Sequence, residues 1–186
     1  MTPGSIATPE PPATAYERRV KSVLQSLGIS PESLAGRALP ICEEANGLVA
    51  AEIDPRGRVH QLVPAAAAAW RQMKAAASAQ GVALQIVSAF RSVDRQAAII
   101  RSKLRAGVPL ATILTVNAPP GCSEHHTGRA VDVTTPGTTA LEEEFEATEA
   151  FRWLAENGNS FGYFLSYPRN NKQGYAYEPW HWCHER

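Results

Sequence analysis

A surplus of charge of either sign is what this chain most plainly lacks: 18 Lys and Arg balance 18 Asp and Glu, for a formal net charge of zero. Holding a phosphate backbone or an anionic membrane surface needs a field of positive charge, so the balance argues against nucleic acid or acidic lipid as a partner. Cysteine is scarce and odd in number. Cys42, Cys122 and Cys183 do not form a disulfide framework, although one bridge stays open. No apolar run is long enough to span a bilayer, and the N-terminal MTPGSIATPEPPATAYERR has no basic region followed by an apolar one. The expectation is a soluble protein, cytoplasmic as written, with the periplasm or cell envelope open if a leader is removed. Oligomeric state is not legible.

What is there fits one domain, because 186 residues can bury a core without covalent staples. Residues 1–14, with Pro3, Pro9, Pro11 and Pro12 among small polar residues, read as a disordered tail, and residues 15–186 as a single domain. Tyr16, Val20, Val23, Leu24 and Leu27 recur at helical spacing before Gly28. LVAAEIDPRGRVHQLVP reads as a hairpin about Asp54-Pro55-Arg56-Gly57, and the alanine-rich run after Pro64 as a helix closed by Gly81.

VALQIVSAF is β-rich, and the segment from Ser92, with Asp94 in its first turn, has the marks of a helix start. A short helix over PLATILTV, a strand at AVDV, a helix over residues 141–160 and strands at FGYFLSYP and YAYEPWHWC complete the expectation. The acidic run from Glu142 reads as a solvated helix face. Strands and helices mix without βαβ alternation. The fold class is therefore α+β, a small antiparallel sheet with surrounding helices.

The chemistry concentrates in a few residues. A catalytic zinc site uses three protein ligands from His, Asp or Glu and keeps one position open. His125 and Asp132 lie seven residues apart with Gly128 between them to turn the segment, and His181 follows Glu178 by three near the C-terminus. A carboxylate beside a metal ligand but not bound to the metal can take a proton from the attacking water. Any one of these residues alone reads as structural. Their joint occurrence with Arg91, at the end of an apolar strand where it could clamp a carboxylate or oxyanion, points to a site.

SEHHTGRAVD fits the pattern S-x-H-x-x-G-x-A-x-D, and GYAYEPWHW fits G-Y-x-Y-E-P-W-H-W. Together with SAFRSVDRQ and FGYFLSYP, in this order, they resemble the VanY-type D-alanyl-D-alanine carboxypeptidases. These are zinc metallopeptidases of peptidoglycan, in the wider group that holds lysostaphin-type enzymes and the hedgehog signalling domain. The resemblance runs from about Pro64 to the C-terminus. It implies that fold, a Zn2+ ion on His125, Asp132 and His181, Glu178 as general base and Arg91 at the scissile carbonyl. It further implies that Ser123 and Gln96 help bind substrate, that His126 is not a ligand, and that the partner is a peptidoglycan stem peptide or precursor. His126 is expected to point away from the metal because neighbours on an extended segment face opposite ways.

The resemblance departs at Cys183, where the family usually has an arginine soon after the last ligand. Strand alternation puts Cys183 on the face of His181, which leaves open a closed structural site of Cys122, His125, Cys183 and His184, or a Cys122–Cys183 disulfide. At the level of function, hydrolysis of the terminal D-Ala leads. A peptidoglycan endopeptidase of the same fold and a zinc-containing binding protein without activity are the alternatives.

Overall fold

The amphipathic stripe that begins at Tyr16 forms α1 (Ala15–Ser26) in a computed structural model that describes residues 13–185. Thr14 caps this helix, its hydroxyl accepting from the Glu17 N–H while the Glu17 carboxylate accepts from the Thr14 N–H. Thr14 thus belongs to the domain. The rest of the expected tail, apart from Ala13, lies outside the described residues.

The Asp-Pro-Arg-Gly turn joins β1 (Val49–Ile53) to β2 (Val59–Leu62) as an antiparallel hairpin. The Asp54 carboxylate closes it by accepting from the N–H groups of Arg56 and Arg58. Helix α2 (Pro64–Ala79) starts at its proline, whose missing N–H costs nothing in a first turn. The hairpin is held on α2 by the Trp70 indole N–H, which donates to the Glu52 carboxylate at 2.9 Å.

The second sheet has four strands in the order β3 (Gln85–Ser88), β4 (Ala130–Thr134), β6 (His181–His184) and β5 (Tyr163–Leu165), every neighbouring pair antiparallel. The fold is α+β, as the mixed order of elements predicts. Side-chain alternation gives this sheet two unlike faces. Ile86, Val131, Val133 and Trp182 enter the main core with Trp70 and Met73 of α2 and Trp153 and Leu154 of α5 (Glu149–Asn157). Asp132, His181 and Cys183 take the alternate positions.

A second core joins Leu27 and Ile29, just past α1, to Ala97 and Ile100 of α3 (Val93–Arg105) and Ile113 and Leu114 of α4 (Leu110–Val116). Ser92 caps α3 as expected, its hydroxyl accepting from the Arg95 N–H.

Two expected elements are shorter than the periodicity predicts. The helix over 141–160 divides into a 3-10 turn at Glu143–Ala147 and α5, because Thr148 breaks the run and caps α5 through the Phe151 N–H. Glu142, Glu143, Glu144 and Glu146 are exposed, as a solvated face predicts, and Glu143 and Glu146 also pair with the exposed Arg169. In YAYEPWHWC only His181 onward is strand. Pro179 cannot donate to a ladder, and the chain turns there with the His181 N–H on the Glu178 carbonyl. Among the described residues no helix is long and apolar enough to cross a membrane.

Candidate metal centre and cleft

The strand register builds the centre of the site. Ser88, Asp132 and His181 are register partners in one row across β3, β4 and β6, so their side chains rise together from the face opposite the main core. His125 arrives from a 3-10 turn, Glu124–Thr127, that ends at Gly128 in the left-handed region with φ 63°. The positive φ favours glycine at this position, and a Cβ at Gly128 would sit 2.7 Å from Leu48 Cδ2, so that side chain would have to shift to admit one. The Arg91 N–H donates to the His125 carbonyl at 3.2 Å and the Ala45 N–H to the His126 carbonyl at 2.8 Å, which fixes the turn from both sides.

His125, Asp132 and His181 are all buried, and one donor atom from each lies within 4.8 Å of the others. His125 Nδ1 is 2.7 Å from the Ala89 carbonyl, to which it donates, leaving Nε2 facing Asp132 Oδ2 at 3.2 Å. His181 Nδ1 lies 3.1 Å from Asp132 Oδ1, and its Nε2 lies 3.0 Å from Glu124 Oε2. Two imidazole nitrogens and a carboxylate oxygen thus converge, a donor set that suits zinc.

The electrostatics also ask for a cation. Burial works against the charge on Asp132, but His125 and His181 hold its carboxyl far below the usual range. Burial likewise works against a charge on His181, yet its hydrogen bonds to Asp132 and Glu124 raise its pKa to about 10. His125 goes the other way, with burial lowering its pKa. A buried carboxylate group of this kind needs a proton or a metal ion among its partners, and His125 Nε2 and His181 Nδ1, which both face Asp132, are placed for a metal.

Glu178 lies beside this set, its Oε2 3.8 Å from His181 Nδ1. Burial pushes its carboxyl up to about 7, with the charge of His181 opposing. Arg91 is 3.5 Å from Asp132 Oδ2 and donates to Ser88 Oγ at 3.0 Å and to Gln96 Oε1 at 2.7 Å. The Gln96 amide is committed at both ends, because its N–H donates to the Ala118 carbonyl at 2.7 Å. Ser123 is buried at the start of the 3-10 turn.

All seven residues singled out in the sequence line or adjoin one cleft of about 430 Å³, with Tyr175, Tyr177 and Trp180 on its wall. His126 is buried and outside the ligand group, as expected, but for a different reason than strand alternation. It sits on a 3-10 turn, where its Nδ1 donates to the Arg91 carbonyl and its Nε2 accepts from the Gly121 N–H at 3.1 Å. Burial keeps its pKa low, which agrees with a neutral ring doing both.

The cysteine alternatives do not form. Cys122 and Cys183 are thiols, and His184 packs edge-on against Tyr163, with ring centroids 5.2 Å apart. Among the described residues the ligand group is His125, Asp132 and His181 alone. Cys183 does share the face of His181, and its thiol donates to the His184 carbonyl at 3.7 Å. Glu124 itself is the residue that sequence reasoning missed. Its partner is 57 positions away, and only the fold shows the pairing.

A family model described as "VanY: D-alanyl-D-alanine carboxypeptidase" matches residues 59–185. The protein named "Putative carboxypeptidase YodJ" of Bacillus subtilis (strain 168) is 36% identical over 119 residues, covering 62% of this chain and 43% of YodJ. The chain therefore aligns with less than half the length of that relative. Among solved structures, the LdcB LD-carboxypeptidase is 29% identical with a TM-score of 0.62, covering 81% of this chain and 68% of that one. A mutant of the vancomycin-resistance D,D-pentapeptidase VanY from a VanB-type cassette, in complex with Zn(II), is 28% identical with a TM-score of 0.63, covering 81% and 85%.

Proposed function

The chain belongs to the VanY family of D-alanyl-D-alanine carboxypeptidases, and from that premise we propose that it is a zinc-dependent D,D-carboxypeptidase acting on peptidoglycan stem peptides. The observation that carries the reading is the convergence of His125, Asp132 and His181 with a carboxylate of raised pKa, Glu178, beside them and a guanidinium, Arg91, opposite. Metal ligands alone fit a binding protein as well as an enzyme. A base and an oxyanion donor around them favour hydrolysis.

Zinc held by His125, Asp132 and His181 supplies Lewis-acid polarisation of the scissile carbonyl and lowers the pKa of water. The protein's own groups do the rest. Glu178 takes the proton of the attacking water, a task for which a pKa raised toward neutrality is matched. Arg91 donates to the oxygen that gains charge as the carbonyl becomes tetrahedral. Glu178 then returns the proton to the leaving amine nitrogen, and the C–N bond breaks. No covalent enzyme intermediate forms.

Gln96 acts on substrate through Arg91, whose orientation its Oε1 fixes. Ser123 lines the cleft, and its hydroxyl is assigned a hydrogen bond to the peptide backbone in this reading. The tyrosines and Trp180 form the apolar wall against which small D-Ala methyls pack.

The similarity to an LD-carboxypeptidase supports a second reading, removal of D-Ala from an L,D bond by the same machinery. Product analysis by mass spectrometry separates the two. A pentapeptide ending in D-Ala-D-Ala, a tetrapeptide ending in a single D-Ala and a cross-linked muropeptide are each incubated with the zinc-loaded protein. Loss of one alanine from the pentapeptide alone supports the D,D reading; loss from the tetrapeptide supports the L,D reading. Cleavage of the cross-link alone moves the assignment to an endopeptidase.

A further inference from the structure

Glu124 is a largely buried carboxylate that the proposed reaction does not use. Its Oε2 lies 3.0 Å from His181 Nε2, and the Ser166 N–H donates to the His181 carbonyl at 3.3 Å, which holds the backbone of that residue in place. The other nitrogen of that ring, Nδ1, is the one that faces Asp132 at 3.1 Å and Glu178 at 3.8 Å. His125 is arranged the opposite way round, with Nδ1 tied to a backbone carbonyl and Nε2 facing Asp132.

Carboxylates face both nitrogens of the ring, and a carboxylate only accepts; once a metal ion takes Nδ1 beside Asp132, the single proton of the neutral imidazole sits on Nε2, where Glu124 accepts it. We propose that Glu124 is a positioning residue that holds the His181 proton on Nε2, directs the Nδ1 lone pair at the metal and thereby sets zinc affinity. The two histidines then present different nitrogens, Nε2 from His125 and Nδ1 from His181. Outer partners of this type raise ligand basicity and fix ring orientation. The pairing joins residues next to both histidines. Glu124 precedes His125 in the chain and touches His181 in space, so one short turn positions two ligands.

The proposal rests on His181 being a ligand in the site proposed above, and its test reads metal binding rather than activity. Zinc dissociation constants are measured by chelator competition for wild type, Glu124→Ala and Glu124→Gln, with circular dichroism of each metal-free protein as a check on folding. Nitrogen-15 spectra of the zinc-loaded wild type assign the two imidazole tautomers. The expected result is an Nε2–H tautomer for His181 and Nδ1–H for His125. Affinity falls roughly 10- to 100-fold in Glu124→Ala and recovers to within a few-fold in Glu124→Gln, whose carbonyl still accepts.

Affinity in a folded Glu124→Ala within about twofold of wild type overturns the proposal, as does an Nδ1–H tautomer at His181. If Glu124→Ala does not fold, the wild-type tautomer and the Glu124→Gln affinity decide. A wild type that binds no zinc fails the functional reading instead. Unchanged zinc binding without Glu124 fails only this one.

Discussion

Asp132 on β4 and His181 on β6 face one another as register partners, with His181 Nδ1 3.1 Å from Asp132 Oδ1. Two of the three candidate ligands thus come from one rung of the sheet, and the rung continues to Ser88, which holds Arg91. Geometry of that kind is set by backbone ladders, and it is rigid before any ion arrives. Asp132→Ala is therefore expected to lower zinc affinity by more than about 100-fold, beyond the cost of an outer-shell change. Equilibrium dialysis against buffered zinc, with His181→Ala alongside, checks this.

Glu178 should cost the metal-free protein stability at neutral pH. Its folded pKa is about 7 against an ordinary 4.5, so between those values the native state binds more protons than the unfolded state. Stability from this group is thus greatest below pH 4.5 and declines as pH rises toward 7. Glu178→Gln removes the burden and stabilises the metal-free protein by at most about 3 kcal/mol above neutrality, with the gain fading below the ordinary carboxylate pKa. Urea melts in chelator at several pH values read it directly.

On the proposed mechanism the same residue sets the acid side of the activity profile. A base works only when deprotonated, so kcat/KM is expected to rise with pH through the Glu178 pKa. A bound divalent cation pulls that pKa down from the metal-free value. The acid limb accordingly falls between the ordinary 4.5 and 7, measured from initial rates across pH with zinc held saturating.

The Arg91 guanidinium is held in place by Ser88, Gln96 and Asp132. If it is the oxyanion donor proposed above, Arg91→Ala lowers kcat by about 100-fold or more. Gln96→Ala leaves the guanidinium in place but loosely held, with an expected loss of about 10-fold. Steady-state kinetics of both variants, with metal content matched, test the ordering.

Much of this was legible in the chain. His125, Gly128 and Asp132 sit within one short motif, and local spacing suffices to find them. The alternation of Val131, Asp132 and Val133 already tells which side faces the core. What the sequence hid was non-local or depended on one polar residue. Glu124 looks like any acidic residue in a turn until β6 brings His181 to it. Thr148 sits inside a helical pattern, and its preference for capping overrides the periodicity around it. His126 faces away from the ligand group, but through a 3-10 turn and two backbone hydrogen bonds rather than an extended strand. Cys183 reads as a departure from the family. In the fold it stands outside the ligand group, its thiol on the His184 carbonyl.

The most direct test of the account is release of D-alanine from a pentapeptide ending in D-Ala-D-Ala, followed for zinc-loaded wild type beside Glu178→Ala with bound zinc quantified in both. The account predicts one zinc per chain in each protein, D-alanine release by wild type, and a Glu178→Ala variant that keeps its zinc yet releases essentially none. Equal release by the two proteins, or a zinc-loaded wild type that releases nothing, would contradict it.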